Sequence, residues 1–252
     1  MNIVNWNNET KQGAINFRAS CYSVWDASKG FPIWRSGSTE NLTSFQANIL
    51  YHELGIRTWF CLAESNELKN CQLSLLPQIE KVFCSLSDKH PHLEIPLVND
   101  YVNLYWQYLT ECSNKIFNLF TQIASLKDHE KILISCYAGK DRTGLICALI
   151  TGLLISDKQL IIDDYCESSI FLLKQIDYFQ TNWEKRKITK MDYSQRFKYL
   201  NDIICLLLDK IEMKYGNIYS YLISIGINEQ TLNNVRLHFK PYIKNQYLIN
   251  DN

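Results

Sequence analysis

One segment of the 252-residue chain, residues 131–144, limits the possible folds more than any other; it reads KILISCYAGKDRTG. The run from Lys131 to Ile134 predicts a buried strand, and the apolar stretch that begins at Thr143 predicts a buried helix. Cys136 therefore lies in the connection between a strand and a helix. Further β-rich runs, such as IRTWFCLA, alternate with longer mixed segments, which indicates an α/β fold with a largely parallel sheet.

The loop between the predicted strand and helix is suited to binding an anion. Successive backbone N–H groups can turn inward there, and the positive end of the helix dipole adds to them. Gly139 permits the tight turn. These features favour the thiolate of Cys136, which is the nucleophilic form of the side chain. Arg142, six positions after the cysteine, could hold two oxygens of a phosphate at once.

A thiolate beside a phosphate cradle predicts displacement at phosphorus through a phosphocysteine that water then hydrolyses. Thr143 could donate a hydrogen bond to the sulfur and help it leave. Lys140 adds a second positive charge suited to a substrate with more than one phosphate, but a solvated surface lysine is an equal alternative. The residues expected to bind the phosphate are Tyr137, Ala138, Gly139, Lys140 and Thr143.

The same segment resembles the signature loop of cysteine-dependent tyrosine phosphatases, in the AGKDRTG form of the bacterial tyrosine and dual-specificity phosphatases that also act on phosphoinositides. Upstream, INFRA, IWRSGS, NLTSFQANIL and LGIRT resemble that family's NFRD, RSG, LT and LGI segments in the same order. Downstream, ISDKQLIIDDYCES resembles its helix ending in DY, and KYGNIYSYLISIGINEQTLNNVR resembles its terminal element. The resemblance implies a phosphoric monoester hydrolase with a tyrosine-phosphatase-like central sheet flanked by helices.

The resemblance spans nearly all of the chain and implies one domain over residues 1–252. After Ser156, which is the predicted cap of a helix, the pattern becomes helical. One later helix is expected to end at Gly216, and a further helix is expected to begin near Glu229 and end before Pro241. The helical C-terminal third includes residues 170–225, which are interpreted as a lid that excludes water from the reacting phosphate.

Two aspartates are candidates for the general acid that protonates the leaving oxygen. Asp141 lies within the loop, and the resemblance favours it because this branch of the family uses the loop aspartate. Asp100, about thirty residues upstream, corresponds to the mobile-loop acid that is more widespread in tyrosine phosphatases. A purely structural Asp141 that ties the loop is a third possibility.

Several positions depart from the family pattern or allow two interpretations. Ser135 stands where a histidine usually precedes the nucleophile, and Ala19 stands where NFRD has an aspartate. Cys61 begins a Cys-Leu-Ala strand end where DLR is usual. These departures motivate a second hypothesis, a phosphate-binding module that turns over too slowly to matter. Arg35 either approaches the phosphate or forms an ion pair that pins the N-terminal segment to the core.

Composition argues against other classes of function. The 26 basic and 26 acidic side chains cancel, and no basic tract is free of acids, so nucleic-acid binding is not expected. The first residues lack the features of a signal peptide, and no apolar run could cross a bilayer, which indicates a cytoplasmic protein. Nine cysteines without a C-x-x-C pair, and five isolated histidines, predict neither a metal site nor a cofactor. The expected partner is a phosphorylated protein, phosphoinositide or small molecule, and the oligomeric state stays open.

Overall fold

In the computed structural model, which describes residues 14–69, 71–86 and 96–247, a single five-stranded sheet carries the loop of Cys136. Its spatial order is β1-β2-β5-β3-β4. β1 is antiparallel to β2, and every other neighbouring pair is parallel, so the predicted, largely parallel sheet is confirmed. The strands are β1 Arg18–Ala19, β2 Ile33–Ser36, β3 Ile56–Cys61, β4 Glu80–Phe83 and β5 Lys131–Ser135.

Helices cover both faces of the sheet and make up the C-terminal part of the described chain. The α-helices are α1 Ser44–Asn48, α2 Val98–Glu111, α3 Ser113–Ala124, α4 Asp141–Leu154, α5 Lys158–Lys174, α6 Gln180–Arg186, α7 Lys190–Ser194, α8 Leu200–Tyr215, α9 Ile218–Ser224 and α10 Glu229–Phe239. A π-helical turn, Ile49–Glu53, continues α1. Short 3₁₀ turns occur at Leu73–Leu75, Ile176–Phe179, Gln195–Phe197, Lys240–Tyr242 and Asn245–Tyr247.

The central strand β5 is apolar from Ile132 to Ile134 because both of its faces are covered. Ile132 and Ile134 contribute to the large core formed with the helices of one face, and Leu133 packs in a second core on the other face with Trp34 and Trp59. All three β5 residues are fully buried. This is the pattern of a parallel strand between two layers, and it places the end of β5 in the middle of the sheet edge.

The boundaries of the helical region agree with the sequence in two places and differ in one. α8 ends before Gly216, whose φ of +85° suits a glycine helix stop, and α10 covers the segment expected before Pro241. The prediction of Ser156 as a cap was wrong. Asp157 caps α5, because its carboxylate accepts a hydrogen bond from the backbone N–H of Gln159 at 2.9 Å.

Within the described ranges, no helix combines the length and the apolar character that crossing a bilayer requires.

Candidate active site

The segment from Cys136 to Lys140 connects the end of β5 to the start of α4, as the sequence predicts. The side chain of Cys136 is 3% exposed. Gly139 has a φ of +68°, and a Cβ atom at this position would lie 2.5 Å from the carbonyl carbon of Ser36. Gly37, which follows β2, also lies against the loop, since a Cβ there would lie 2.7 Å from the carbonyl oxygen of Tyr137. The two glycines let the loop pack directly on the end of β2.

Side chains behind the loop hold its carbonyl groups. Arg35 Nη2 donates to the Gly139 oxygen at 2.8 Å, and Asn16 Nδ2 donates to the same oxygen at 2.9 Å. Asn16 Nδ2 also lies 3.3 Å from the Ala138 oxygen. In a trans peptide the N–H and the C=O point in opposite directions. The carbonyls of Ala138 and Gly139 are held at the back of the loop, so the N–H groups that follow them, those of Gly139 and Lys140, point to its front. The sequence predicts an anion cradle at this place.

Arg35 is fully buried, and its second nitrogen forms an ion pair with Asp164, with Nη1 and Oδ2 2.5 Å apart. Arg18 donates to the backbone oxygen of Asp164 at 2.7 Å. Burial alone would raise the pKa of Asp164, but the charges of Arg35 and Arg18 outweigh it and lower that pKa. Of the two interpretations of Arg35, the ion pair behind the loop is the one that the structure favours.

Arg142 lies on the front of the loop and is held by a carboxylate from a distant segment. Its Nη1 and Nη2 donate to the two oxygens of Glu67 at 2.7 and 2.8 Å, and Nη1 also lies 3.2 Å from the Leu62 oxygen. Burial disfavours the charge of the guanidinium, but the neighbouring Cys136 and Glu67 outweigh burial and raise the pKa of Arg142. This fork-to-fork contact fixes the plane of the guanidinium.

Among the buried hydroxyl groups that have no hydrogen-bond partner in the described residues are Thr143 Oγ1 and the hydroxyl of Tyr101. Tyr101 lines the cleft above Cys136, and Thr143 follows Arg142 in the first turn of α4. A buried hydroxyl without a partner costs free energy, so the hydroxyl of Tyr101 is suited to a ligand in the cleft.

Both candidate acids line the same cleft as Cys136. Asp141 is the first residue of α4, and its Oδ1 accepts a hydrogen bond from the hydroxyl of Tyr105. The Nζ of Lys140 lies 3.2 Å from that oxygen. Asp100 is placed differently: its Oδ2 accepts the backbone N–H of Leu97 at 2.8 Å and so caps α2.

Lys140 is 2% exposed, so the alternative of a solvated surface lysine is wrong. Its Nζ donates to the backbone oxygen of Arg196 at 2.9 Å and lies 4.2 Å from the centroid of the Tyr101 ring. Burial opposes the charge of the ammonium, but Asp141 raises the pKa of Lys140. The side chain therefore stays charged at the edge of the cleft.

Ser135 points away from the cleft, because neighbouring residues of a strand face opposite sides of a sheet. Its hydroxyl accepts the indole N–H of Trp59 at 2.6 Å, and it lies 3.9 Å from the sulfur of Cys61. Burial raises the pKa of Cys61 to about 11. The Ser135 hydroxyl thus belongs to the packing beneath the loop, at the position where the family pattern has a histidine.

A cleft of about 860 Å³ opens in front of the loop, and residues from Tyr178 to Phe197 form one of its walls. This wall, here called the lid segment, consists of the turn Ile176–Phe179, α6, α7 and the turn Gln195–Phe197. Asn182 Nδ2 donates to the hydroxyl of Tyr137 at 2.9 Å. The lid segment packs with Ile15 and Leu172 in a small apolar core, and the buried residues of α8 belong to the main core instead.

Several residues of the site were not singled out from the sequence, among them Asn16, Glu67, Tyr105 and Asp164. Asn16 and Asp164 belong to the segments INFRA and ISDKQLIIDDYCES, so the sequence carried a signal for both. Glu67 lies in an irregular stretch and Tyr105 on an amphipathic helix, where no local pattern marks them. In the described part of the chain no group of three or more His, Cys, Asp or Glu residues could hold a metal ion.

Comparison with known proteins gives one sequence family and several distant structures. Residues 27–240 match the tyrosine phosphatase family. A search of curated protein sequences found no match.

Among solved structures, the core catalytic domain of the PP-IP phosphatase SIW14 from S. cerevisiae, in complex with citrate, is 17% identical, with a TM-score of 0.35, and the match covers 80% of this chain and 96% of that one. TpbA from P. aeruginosa is 13% identical, with a TM-score of 0.30, and the match covers 79% of this chain and 98% of that one. These TM-scores are too low to support any further conclusion about the chain.

Proposed function

This chain belongs to the tyrosine phosphatase family, a class of phosphoric monoester hydrolases, and we propose that it works through a phosphocysteine at Cys136. The observation that supports this mechanism best is the loop itself. Its carbonyl groups are held from behind by Arg35 and Asn16, and its front carries Arg142 in a two-bond clamp with Glu67. Such a cradle binds the three non-bridging oxygens of a phosphate and aligns phosphorus with the sulfur.

The reaction has two steps. In the first, the thiolate of Cys136 attacks phosphorus, the bond to the leaving oxygen breaks, and Asp141 gives its proton to that oxygen. In the second, the Asp141 carboxylate takes a proton from water as the water oxygen bonds to phosphorus. The S–P bond then breaks, its electron pair returns to sulfur, and phosphate leaves. Thr143 donates to the departing sulfur.

Asp141 is preferred to Asp100 as the acid because of what each carboxylate already binds. Asp100 caps α2 through the backbone of Leu97, a role that keeps its charge at the helix N-terminus. Asp141 adjoins Arg142 in sequence and is held by a hydroxyl and an ammonium at the edge of the cleft. Both carboxylates line the cleft, so the choice rests on these contacts.

The substrate is a phosphomonoester of a protein tyrosine, a phosphoinositide or a small metabolite. The cleft wall carries three cations from the lid segment, Lys185, Arg186 and Arg196, in addition to the buried Lys140. The cleft is also lined by five carboxylates, so an anionic substrate is attracted by the cations nearest to it and not by a net positive charge of the cleft; the carboxylates are those of Glu40, Glu64, Glu67, Asp100 and Asp141. We take the chain as one domain whose cleft is covered by the lid segment. We also place it in the cytoplasm, because a thiolate nucleophile stays reduced in a reducing compartment.

The test is turnover of phenyl phosphate by the wild-type chain and by Cys136→Ser. The wild type should release phenol catalytically, and the variant should lose this activity by about 10⁴-fold or more while it remains folded and still binds phosphate. Saturable phosphate binding without release of phenol by the wild type would support the phosphate-binding module instead. Activity that survives in Cys136→Ser would contradict the phosphocysteine.

A further inference from the structure

Two buried tyrosine hydroxyl groups form a chain behind Asp141 that takes no part in binding phosphate. Tyr105 lies on α2 and is fully buried, and Tyr165 lies on α5 and is 1% exposed. The hydroxyl of Tyr105 donates to Asp141 Oδ1, and the two hydroxyl oxygens are 2.5 Å apart. Three elements distant in sequence therefore meet in one chain of hydrogen bonds, which ends at a carboxylate oxygen of Asp141.

The direction of the hydrogen bonds follows from proton counting. A tyrosine hydroxyl carries one proton, and Tyr105 uses it for Asp141, so Tyr165 must donate to Tyr105. Burial raises the pKa of both tyrosines well above the usual range, and the charge of Asp141 adds to the effect. Both hydroxyls therefore keep their protons and act as fixed donors.

The last glycine of GKDRTG makes this chain of hydroxyls possible. A Cβ atom on Gly144 would lie 2.7 Å from Cδ2 and 2.9 Å from Cε2 of Tyr165. Two carbon atoms that are not bonded to each other do not approach this closely, so a side chain at this position would displace the Tyr165 ring. Gly144 has helical neighbours on both sides, and its role is to give that ring room at the start of α4.

We propose that Tyr105, backed by Tyr165, is the positioning residue of the general acid: it fixes Oδ1 of Asp141, so that the acidic proton is carried by Oδ2 and directed at the leaving oxygen. The inference rests on the proposed function, with Asp141 as the acid. Lys140 contacts the same Oδ1 at 3.2 Å. When Oδ2 gives up its proton, the charge that develops on the carboxylate meets donors that are already in place.

The experiment compares Tyr105→Phe with the wild type on two esters, phenyl phosphate and p-nitrophenyl phosphate. The first has a leaving group that needs protonation, and the second leaves readily as an anion. For Tyr105→Phe we expect kcat on phenyl phosphate to fall about 10–100-fold, the range of a hydrogen bond to a charged group, with KM unchanged. On p-nitrophenyl phosphate the change should stay within about threefold. Tyr165→Phe, which keeps the contact of Tyr105 with Asp141, should show a smaller effect of the same kind.

Tyr221→Phe is the matched control, because Tyr221 is also fully buried and its hydroxyl donates to the Leu109 oxygen at 2.8 Å, away from the cleft. It should lower the melting temperature without any leaving-group selectivity. In a double-mutant cycle, adding Tyr105→Phe to Asp141→Asn should leave the ratio of the two rates unchanged.

The possible failures are distinguishable. Equal slowing of both esters by Tyr105→Phe, or a further change of the ratio in the double variant, overturns the positioning role alone, provided that Asp141→Asn is selective. If Tyr105→Phe does not fold, Tyr165→Phe decides by the same ratio. An active wild type with an unselective Asp141→Asn overturns Asp141 as the acid and this inference together, and a wild type inactive on both esters overturns the proposed function as well.

Discussion

The back and the front of the loop that carries Cys136 differ in how their polar groups are paired. Behind the loop, the two terminal nitrogens of Arg35 are bound to Asp164 and the Gly139 oxygen, while its Nε has no hydrogen-bond partner among the described residues, and no part of the side chain is exposed. In front, the hydroxyl of Tyr101, which lines the cleft, is buried and has no partner among the described residues. The back therefore fixes the shape of the cradle, and the front keeps a donor for a ligand. Substitutions behind the loop should change stability first, and those in front should change turnover.

The largest effect is expected from Asp164→Asn, behind the loop. The change leaves Arg35 buried without the carboxylate that forms its ion pair, whereas Arg18 keeps Glu167, whose Oε2 lies 3.1 Å from its Nε. Removal of one partner from a buried ion pair costs about 3–5 kcal/mol, so the free energy of unfolding should fall by that amount. Urea unfolding measures it. Asp163→Asn is the matched control, because its carboxylate is on the exposed side of α5 and accepts a surface hydrogen bond from Gln159. It should change stability by less than about 0.5 kcal/mol.

The same ion pair predicts how stability depends on pH. The pKa of Asp164 is lowered in the folded chain from its ordinary value of 3.8, so the unfolded chain takes up the proton first as the pH falls. The stabilisation is complete above the unfolded pKa and is lost as the pH falls through the lower folded pKa. Wild-type unfolding followed below about pH 4 should show this loss. Asp164→Asn should lack that part of the slope, and an unchanged slope would contradict the assignment.

In front of the loop, Arg142→Lys should affect turnover more than stability. Lysine keeps the positive charge but cannot reproduce the planar fork that meets Glu67 at 2.7 and 2.8 Å. We expect kcat/KM on phenyl phosphate to fall by about 10²–10³-fold, as for the loss of one fixed donor to a transition-state oxygen. Arg236→Lys, on α10 and bonded to the Leu153 oxygen, is the control and should retain full activity. A variant as active as the wild type would argue that charge alone suffices.

The sequence could predict the loop because its determinants are local. The strand from Lys131, the turn at Gly139 and the helix that follows are neighbours along the chain, and each has a periodicity or a conformational signature. The largely parallel sheet follows from the same alternation of strands and helices. The resemblance of short segments located Arg35 and the Asp-Tyr pair in the correct order, although their contacts became visible only in the fold.

Contacts between distant segments could not be predicted from a single sequence. Glu67 is separated from Arg142 by 75 positions, and Tyr105 is separated from Asp141 by 36. Neither partner has a local pattern, because a carboxylate in an irregular stretch and a tyrosine on an amphipathic helix have many other uses. The burial of Lys140 has the same origin, since the Arg196 oxygen that binds its ammonium belongs to the lid segment.

The smallest of these effects is expected from Glu67→Gln, which tests whether the front of the loop also depends on a fixed partner. Glutamine is isosteric, but its amide has one acceptor oxygen, and its NH₂ group would face an N–H of Arg142. We expect kcat/KM to fall about tenfold, because the guanidinium keeps one hydrogen bond and loses the other. The free energy of unfolding should change by less than in Asp164→Asn, since the Glu67 side chain is 16% exposed.

Glu40→Gln provides the control for Glu67→Gln, because Glu40 lines the same cleft but belongs to a different segment from the clamp on Arg142. It removes the same charge from the cleft, so any general electrostatic effect on an anionic substrate appears in both variants. A tenfold loss in Glu67→Gln with little change in Glu40→Gln would assign the effect to the orientation of Arg142. Equal changes in the two variants would show that the loop alone orients the guanidinium. Arg142 would then need no carboxylate partner in front of the loop, unlike Arg35, which is paired with Asp164 behind it.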